Sequence, residues 1–251
     1  YLIMLINIYM TAIKHDFRAK LQAKPDARDE VYGPAGEENL LAPIRRTNGL
    51  LMPYTPSIQV MHTAVEYAQY NLPQTNFDYY AFARRASPTL SVVAPMTAQD
   101  KDEARYLLAV IHFLRVVSMS YYGRENNIRR GIAPPTLLFS AYGKYMFDKV
   151  PMLLRSVSFG LDAVVDYVSA APSEPGSDQP PELAARYPDA GGLGAIDELA
   201  EKSYVPAQMA IMMELVYAPV PSTIRDNFNL NKFRTGEYLK DGNDDGSKGF
   251  I

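Results

Sequence analysis

APPTLLFSAYGKYMFDKVPMLLRSVSFGLDAVVDYV, from Ala133 to Val168, and VPAQMAIMMELVYAPVPSTIRDNFNLNKFRTGEYL, from Val205 to Leu239, are the stretches whose reading decides the fold. The first begins at Ala133-Pro134-Pro135 and predicts an antiparallel pair, Thr136 to Tyr142 and Met152 to Phe159, joined through a turn region from Gly143 to Lys149. Pro151 stands where the return strand opens, a position at which a missing amide is tolerated. In the second stretch Ala207, Met209, Ile211, Met213, Leu215 and Tyr217 alternate with Gln208, Ala210, Met212, Glu214 and Val216. A period of two marks a strand with one face in a core and the other toward solvent.

Between these stretches, Ala170 to Lys202 is dense in Pro, Gly, Ser and Asp and predicts a surface loop inserted between two strands. Upstream, Leu50 to Tyr54 and Ser57 to Asn71 are strand material. Ile58 and Val60 share one face, whereas Met61, Thr63, Val65 and Tyr67 share the other, so the phase changes near Val60 and Met61. Such a change marks a bulge or a strand passing between two environments. Pro73 to Asn76 makes a turn, Phe77 to Phe82 a tyrosine-rich strand, and Thr89 to Ala94 a further strand with Leu90 and Val92 inward.

A helix is expected after Pro95, capped by Thr97, with Asp100, Asp102 and Glu103 in its first turns and Gly123 closing its far end. Exposed amides and the helix dipole favour negative charge at that start. Ala104, Leu107, Leu108, Ile111 and Leu114 form one apolar stripe, and Tyr106, Val110, Phe113 and Val117 a second. A helix apolar on two sides is buried between layers, for instance between its own sheet and a neighbouring subunit. From Gln22 to Arg46, frequent Pro and Gly predict an extended arm. Fold class is therefore mainly β with one dominant helix (α+β), in three parts: an N-terminal helix and arm (1–49), a β domain (50–239) carrying the loop insertion (170–202), and a flexible tail (240–251).

Composition narrows the function classes. The chain of 251 residues accommodates one mixed domain with an insertion as well as two small domains. A formal charge of −3 argues against a protein that grips nucleic acid by neutralising phosphates. Absence of cysteine excludes disulfides, thiolate metal sites and thiol nucleophiles, and fits a reducing cytoplasm. Eighteen tyrosines supply many amphipathic rings of the kind favoured at protein contacts. The opening YLIMLINIYM (Tyr1 to Met10) is apolar but too short for a membrane span, and it lacks the flanks of a signal peptide. Leu2, Leu5, Ile6, Tyr9, Ile13 and Phe17 recur at helical spacing, predicting an amphipathic helix toward Lys20.

Candidate chemistry is sparse. His15, His62 and His112 lie far apart, and none has a partner at metal-ligand spacing. Gly191-Gly192-Leu193-Gly194 lacks the Lys-Ser/Thr of a phosphate loop and follows a Pro-rich stretch where nucleotide binding needs a strand. Basic pairs at Arg45-Arg46, Arg84-Arg85 and Arg129-Arg130 are short and suit solvated surface or subunit salt bridges. No Gly-x-Ser-x-Gly elbow is present. Neither metal nor cofactor is called for, and the chain is not read as an enzyme.

Taken in order, the Pro-Pro opening, the strand ending in Tyr142-Gly143, the return strand at Val150-Pro151, Val165-Asp166-Tyr167-Val168 and the tail Asn227-Phe228-Asn229-Leu230 through Phe233 and Gly236 resemble the baseplate tail-tube cap, or tube-junction initiator, proteins of contractile-tailed bacteriophages. Leu51 to Pro56 looks like that family's opening segment, and the resemblance runs from Leu50 to Leu239 with the 170–202 insertion as a departure. It implies a tail-tube-like β-sandwich or barrel with a packed helix, and a homohexameric ring. That ring would sit on the baseplate hub, nucleate the tail tube or a second junction ring, and leave a channel for tape-measure protein and DNA, with the sheath a further contact. Virion localisation after assembly in the host cytoplasm follows. Pore or ring-interface residues on this reading are Gln59, Glu66, Tyr67, Gln69, Asp78 and Tyr79. Arm and tail contacts are Arg45, Arg46, Phe228, Phe233 and Gly236. The alternatives are the tail-tube protein itself or, in other classes, a phage-associated hydrolase or a carbohydrate- or receptor-binding module on a β scaffold.

Overall fold

Alternation along Gln208–Tyr217 builds the central strand, β11, which bonds to β6 (Thr89–Thr97) on one side and β8 (Phe147–Gly160) on the other. The computed structural model describes residues 18–33, 39–61, 65–120, 131, 133–143, 145–161, 164–170 and 203–239. Around β11 it assembles β1 (Lys20–Ala23), β2 (Leu50–Leu51), β3 (Ser57–Met61) and β7 (Leu137–Ala141). Together these form a seven-stranded antiparallel sheet of order β2-β1-β7-β8-β11-β6-β3. Two ribbons stand apart from it: β4 (Val65–Tyr70) with β5 (Tyr79–Arg85), and β9 (Tyr167–Ser169) with β10 (Tyr204–Pro206).

The chain is thus mainly β with a large antiparallel sheet, and the predicted inward residues of its middle strands are inward. Met209, Ile211, Met213 and Leu215 of β11 and Leu90, Val92, Ala94 and Met96 of β6 are all buried. Over this face lies a layer of helices, α1 (Arg28–Tyr32), α2 (Ala42–Arg46) and the longer α3 (Lys101–Val117), so the described residues build one large sheet with a helical cover. Ala104, Leu107, Val110, Phe113, Leu114 and Val117 of α3 are buried, whereas Tyr106, Leu108 and Ile111 pack at the margin.

Two details of α3 differ from expectation. Its N-cap is Asp100, whose carboxylate accepts from Glu103 N at 2.8 Å while the Glu103 carboxylate accepts from Gln99 N at 2.8 Å, a reciprocal cap. Thr97 cannot serve because it is still paired with Gln208 in the β6–β11 ladder. The helix stops at Val117, capped by Ser118, and Gly123 lies outside the described residues. Pro151 is interior to β8, just past Met152 where the β11 ladder ends, and its carbonyl accepts from Ala218 N at 3.0 Å.

The expected extended arm is corrected by residues 18–49. Leu21 is fully buried within β1, and Val31, Tyr32 and Ile44 join the same core as α3, so position 49 is no domain boundary. Pro25 opens a 3-10 turn (Pro25–Ala27) and Pro43 is the second residue of α2, first-turn positions where the missing amide has no partner inside the helix to lose. Tyr32 locks this region: its hydroxyl accepts from Ala23 N at 2.8 Å, and its ring stacks on Phe113 with centroids 5.8 Å apart.

Burial pushes the Tyr32 phenol up to about 12, despite the opposing hydrogen bond from Ala23 and the charge of Arg28. Below about pH 10 both folded and unfolded chains hold this proton. Above that, the unfolded chain releases it first, so stability falls as pH rises toward 12. Tyr32→Phe is expected to cost about 1–3 kcal/mol at neutral pH, because Ala23 N–H is left buried and unpaired, and to flatten the alkaline decline. Urea unfolding from pH 7 to pH 11.5, an interval chosen around about pH 10 for a free phenol, measures both.

Past β11 the chain is helical. α4 (Pro221–Asn227), α5 (Leu230–Arg234) and a 3-10 turn (Glu237–Leu239) fold on one another. Residues 171–202 and 240–251, and with them most of the insertion and all of the predicted tail, lie outside the described residues.

Candidate interaction surface

The β3–β6 ladder runs from Ser57↔Val93 to Met61↔Thr89, and the β4–β5 ladder from Val65↔Arg85 to Tyr70↔Tyr79. The second therefore continues the first. β3–β4 and β5–β6 make one long hairpin whose far part leaves the sheet as a two-stranded arm about 20 Å long. At its tip Gln74 turns with φ of 65°, and Thr75 Oγ1 lies 2.9 Å from Leu72 O and 3.2 Å from Phe77 O.

Both faces of this arm are open. Opposed residues share a face, and because the register shift at Glu66/Tyr67 is taken up on β5, alternation along β4 sets Tyr67, Phe82, Gln69 and Tyr80 on one side. Ala68, Ala81, Tyr70 and Tyr79 occupy the other side. Phe77 is 85 % exposed, Phe82 65 %, Tyr79 63 % and Tyr67 59 %. Tyr67 and Phe82 make an edge-to-face pair at 6.2 Å, and Glu66 takes both Nε and Nη2 of Arg84 at 2.6 and 2.8 Å. That fork holds the Glu66 carboxyl below its ordinary range. An isolated two-stranded ribbon is marginal in water, and clustered exposed rings of this kind mark contact surfaces.

Glu66, Tyr67, Gln69 and Tyr79 thus gather on the arm, with Asp78 immediately before β5. Gln59 does not join them. It lies in β3 on the helix-free face of the sheet, heading a row Gln59↔Ser91↔Glu214↔Ser156 across β3, β6, β11 and β8. Glu214 accepts from Arg155 Nη1 at 3.1 Å and from Ser156 Oγ at 3.3 Å, and the row borders a shallow depression with Met61, Met212 and Ser158. Ser91, Ser156 and Glu214 were not singled out from sequence, although the alternation of β11 already put Glu214 on this face. Phe77, Phe82, Tyr70 and Tyr80 were also missed; the signal was the density of rings on both parities of one strand pair.

Arg45 does not reach outward as an arm contact. It donates to Gly33 O and to Asp29 Oδ1, the latter at 2.7 Å, because α2 is packed beside α1. Arg46 adjoins it at the end of α2. Phe228 and Phe233 pack on one another at 5.9 Å, and Phe228 stacks on Tyr238 at 6.4 Å. Gly236, with φ of 68°, lets the chain turn out of α5 so that Tyr238 returns to Asn229 N, its hydroxyl accepting at 2.6 Å. These tail residues form a self-packed knot in which Phe228 and Phe233 remain about two-fifths exposed, at 40 % and 39 %.

His15, His62, Arg129, Arg130 and Gly191 to Gly194 lie outside the described residues. Among the described residues no three His, Asp or Glu side chains are grouped to hold a metal ion, and no helix is long and apolar enough to cross a membrane. Compared with models of known protein families and with curated proteins, the chain matches none.

Proposed function

We propose that this chain is a ring-forming structural subunit of a contractile phage tail, capping the baseplate hub and nucleating the tail tube. The observation that carries the reading is the projecting β4–β5 arm with large rings bare on both faces. A surface so apolar on so slender an element gains stability by packing against another chain. The helix-covered sheet supports the tail-tube-like reading of the domain, and the arm takes the part first assigned to pore and ring strands. Glu66, Tyr67, Gln69, Asp78 and Tyr79 are its contact and channel residues, and Gln59 belongs to the adjoining sheet face. Homohexamer, hub, next tube ring, tape-measure protein and sheath are the partners of this proposal; DNA passes through without being gripped.

Electron microscopy and sedimentation of the purified protein test it, with rings expected for the natural sequence. Tyr67→Ser with Phe82→Ser removes an exposed ring pair while the core stays intact, so circular dichroism is expected unchanged and rings lost. A natural protein that remains monomeric at high concentration, or rings unaffected by the double variant, would overturn the assignment of the arm.

A further inference from the structure

On the face of the sheet away from the helices, three rows of side chains cross β3, β6, β11 and β8. The middle row, Gln59↔Ser91↔Glu214↔Ser156, is polar throughout. Ser57↔Val93↔Met212↔Ser158 runs along one side of it, and Met61↔Thr89↔Val216↔Leu153 along the other. Neighbouring strands lie about 4.8 Å apart, so each row presents a group at that interval. Met61, Met212 and Leu153 are exposed, and the polar row is thus bordered by bare apolar side chains.

A bulge in β8 shapes the end of the middle row. β11 and β8 pair Glu214↔Ser156 and then Leu215↔Leu154, which leaves Arg155 as an extra residue. Met152 and Leu154 face the core before it, and Val157 and Phe159 after it, so Arg155 and Ser156 both turn to the helix-free face. Bulges re-aim side chains in this way and are frequent beside sites. Both residues reach Glu214, one to each carboxylate oxygen: Arg155 Nη1 donates to Oε1 at 3.1 Å and Ser156 Oγ to Oε2 at 3.3 Å. Their charges therefore cancel within the row. Among the described residues the side chains of Gln59, Ser91 and Ser158 have no hydrogen-bond partner. The depression above them has a volume of about 330 Å³, inside the range of about 300–1,000 Å³ typical of small-molecule sites.

We infer that this depression binds a short, uncharged saccharide. A serine hydroxyl and a glutamine amide each donate and accept, which matches a ligand whose every hydroxyl does the same. The Arg155–Glu214 pair offers no net charge, so neither an anion nor a cation gains by binding here. A sugar ring also has a C–H face, and the flexible thioether chains of Met61 and Met212 fit themselves to such a surface. An extended peptide instead takes its main-chain bonds from a strand edge, and the backbone under this face is spent in the ladders. The inference does not depend on the ring reading, since none of these residues lies on the β4–β5 arm.

Methionine methyls report on the site without altering it. Protein isotope-labelled at those methyls is titrated by NMR with maltotriose, cellotriose and chitotriose, each to tens of millimolar, about tenfold above a Kd of order 1 mM. At least one trisaccharide is expected to shift the Met61 and Met212 signals and to saturate, while those of the buried Met52 and Met96 stay in place. Gln59→Ala with Ser91→Ala changes two exposed side chains outside the core, and is expected to weaken that binding about tenfold with circular dichroism unchanged. Absence of any shift at Met61 and Met212 with all three sugars overturns the inference, and so does equal affinity in the double variant. Tighter binding of the anionic trisaccharide sialyllactose means that Arg155 acts as a free charge, which overturns it as well.

Discussion

Phe113→Ala is expected to lower stability by about 3–5 kcal/mol, within reach of the roughly 5–15 kcal/mol that holds a whole domain. Phe113 is wholly buried, and its ring is the surface on which Tyr32 stacks, so truncation opens a cavity where α1, α3 and the sheet meet. Guanidinium unfolding read by circular dichroism measures the loss. A shift below about 1.5 kcal/mol, the scale of volume-conserving core swaps, would mean that the helical cover is not packed as described.

Gly49→Ala is expected to cost about 3 kcal/mol or more, although only a methyl group is added. Gly49 has φ of 128°, a conformation that residues with a side chain rarely adopt. Its Cβ would stand 2.6 Å from Leu21 O and 2.8 Å from Gln22 Cα, both main-chain atoms of β1. Relief requires β1 and β2 to part, which breaks Leu21↔Leu50 and pulls Leu51 from Tyr106. Thermal unfolding gives the magnitude, and amide exchange at Leu21, Leu50 and Leu51 gives the location. Protection unchanged at those amides would contradict the mechanism.

Elements whose pattern is local were legible in the sequence. Alternation in β6 and β11 named their inward residues, because a half-buried strand writes its two faces directly into successive positions. The phase change at Val60 and Met61 reads as either a bulge or a strand passing between two environments, and the second fits, since Ile58 and Val60 pack on the core while Met61, Val65 and Tyr67 are exposed. The start of α3 was misplaced because Thr97 and Asp100 are both good caps, and only the ladder bond to Gln208 decides between them. Residues 22–46 read as an extended arm because their prolines look like breakers until their places at helix starts are known. Closure of the β2 edge, where the Tyr106 hydroxyl accepts from Leu51 N, was not legible at all. Tyr106 and Leu51 stand 55 positions apart, and no local pattern marks a phenol that will meet a strand edge through space.

The β9–β10 ribbon has a topological consequence for the insertion it brackets. Ser169 faces Tyr204, and Ala170 N donates to Ser203 O at 2.9 Å, so the chain departs and returns through neighbouring rungs of one ladder about 5 Å apart. A segment anchored in this way is closed by its stem, whatever lies between. Doubling its length adds only about 0.6 kcal/mol of closure entropy. The stem therefore shields sheet and arm from changes of length between positions 170 and 203, and a domain fused there by an experimenter is expected to leave both intact.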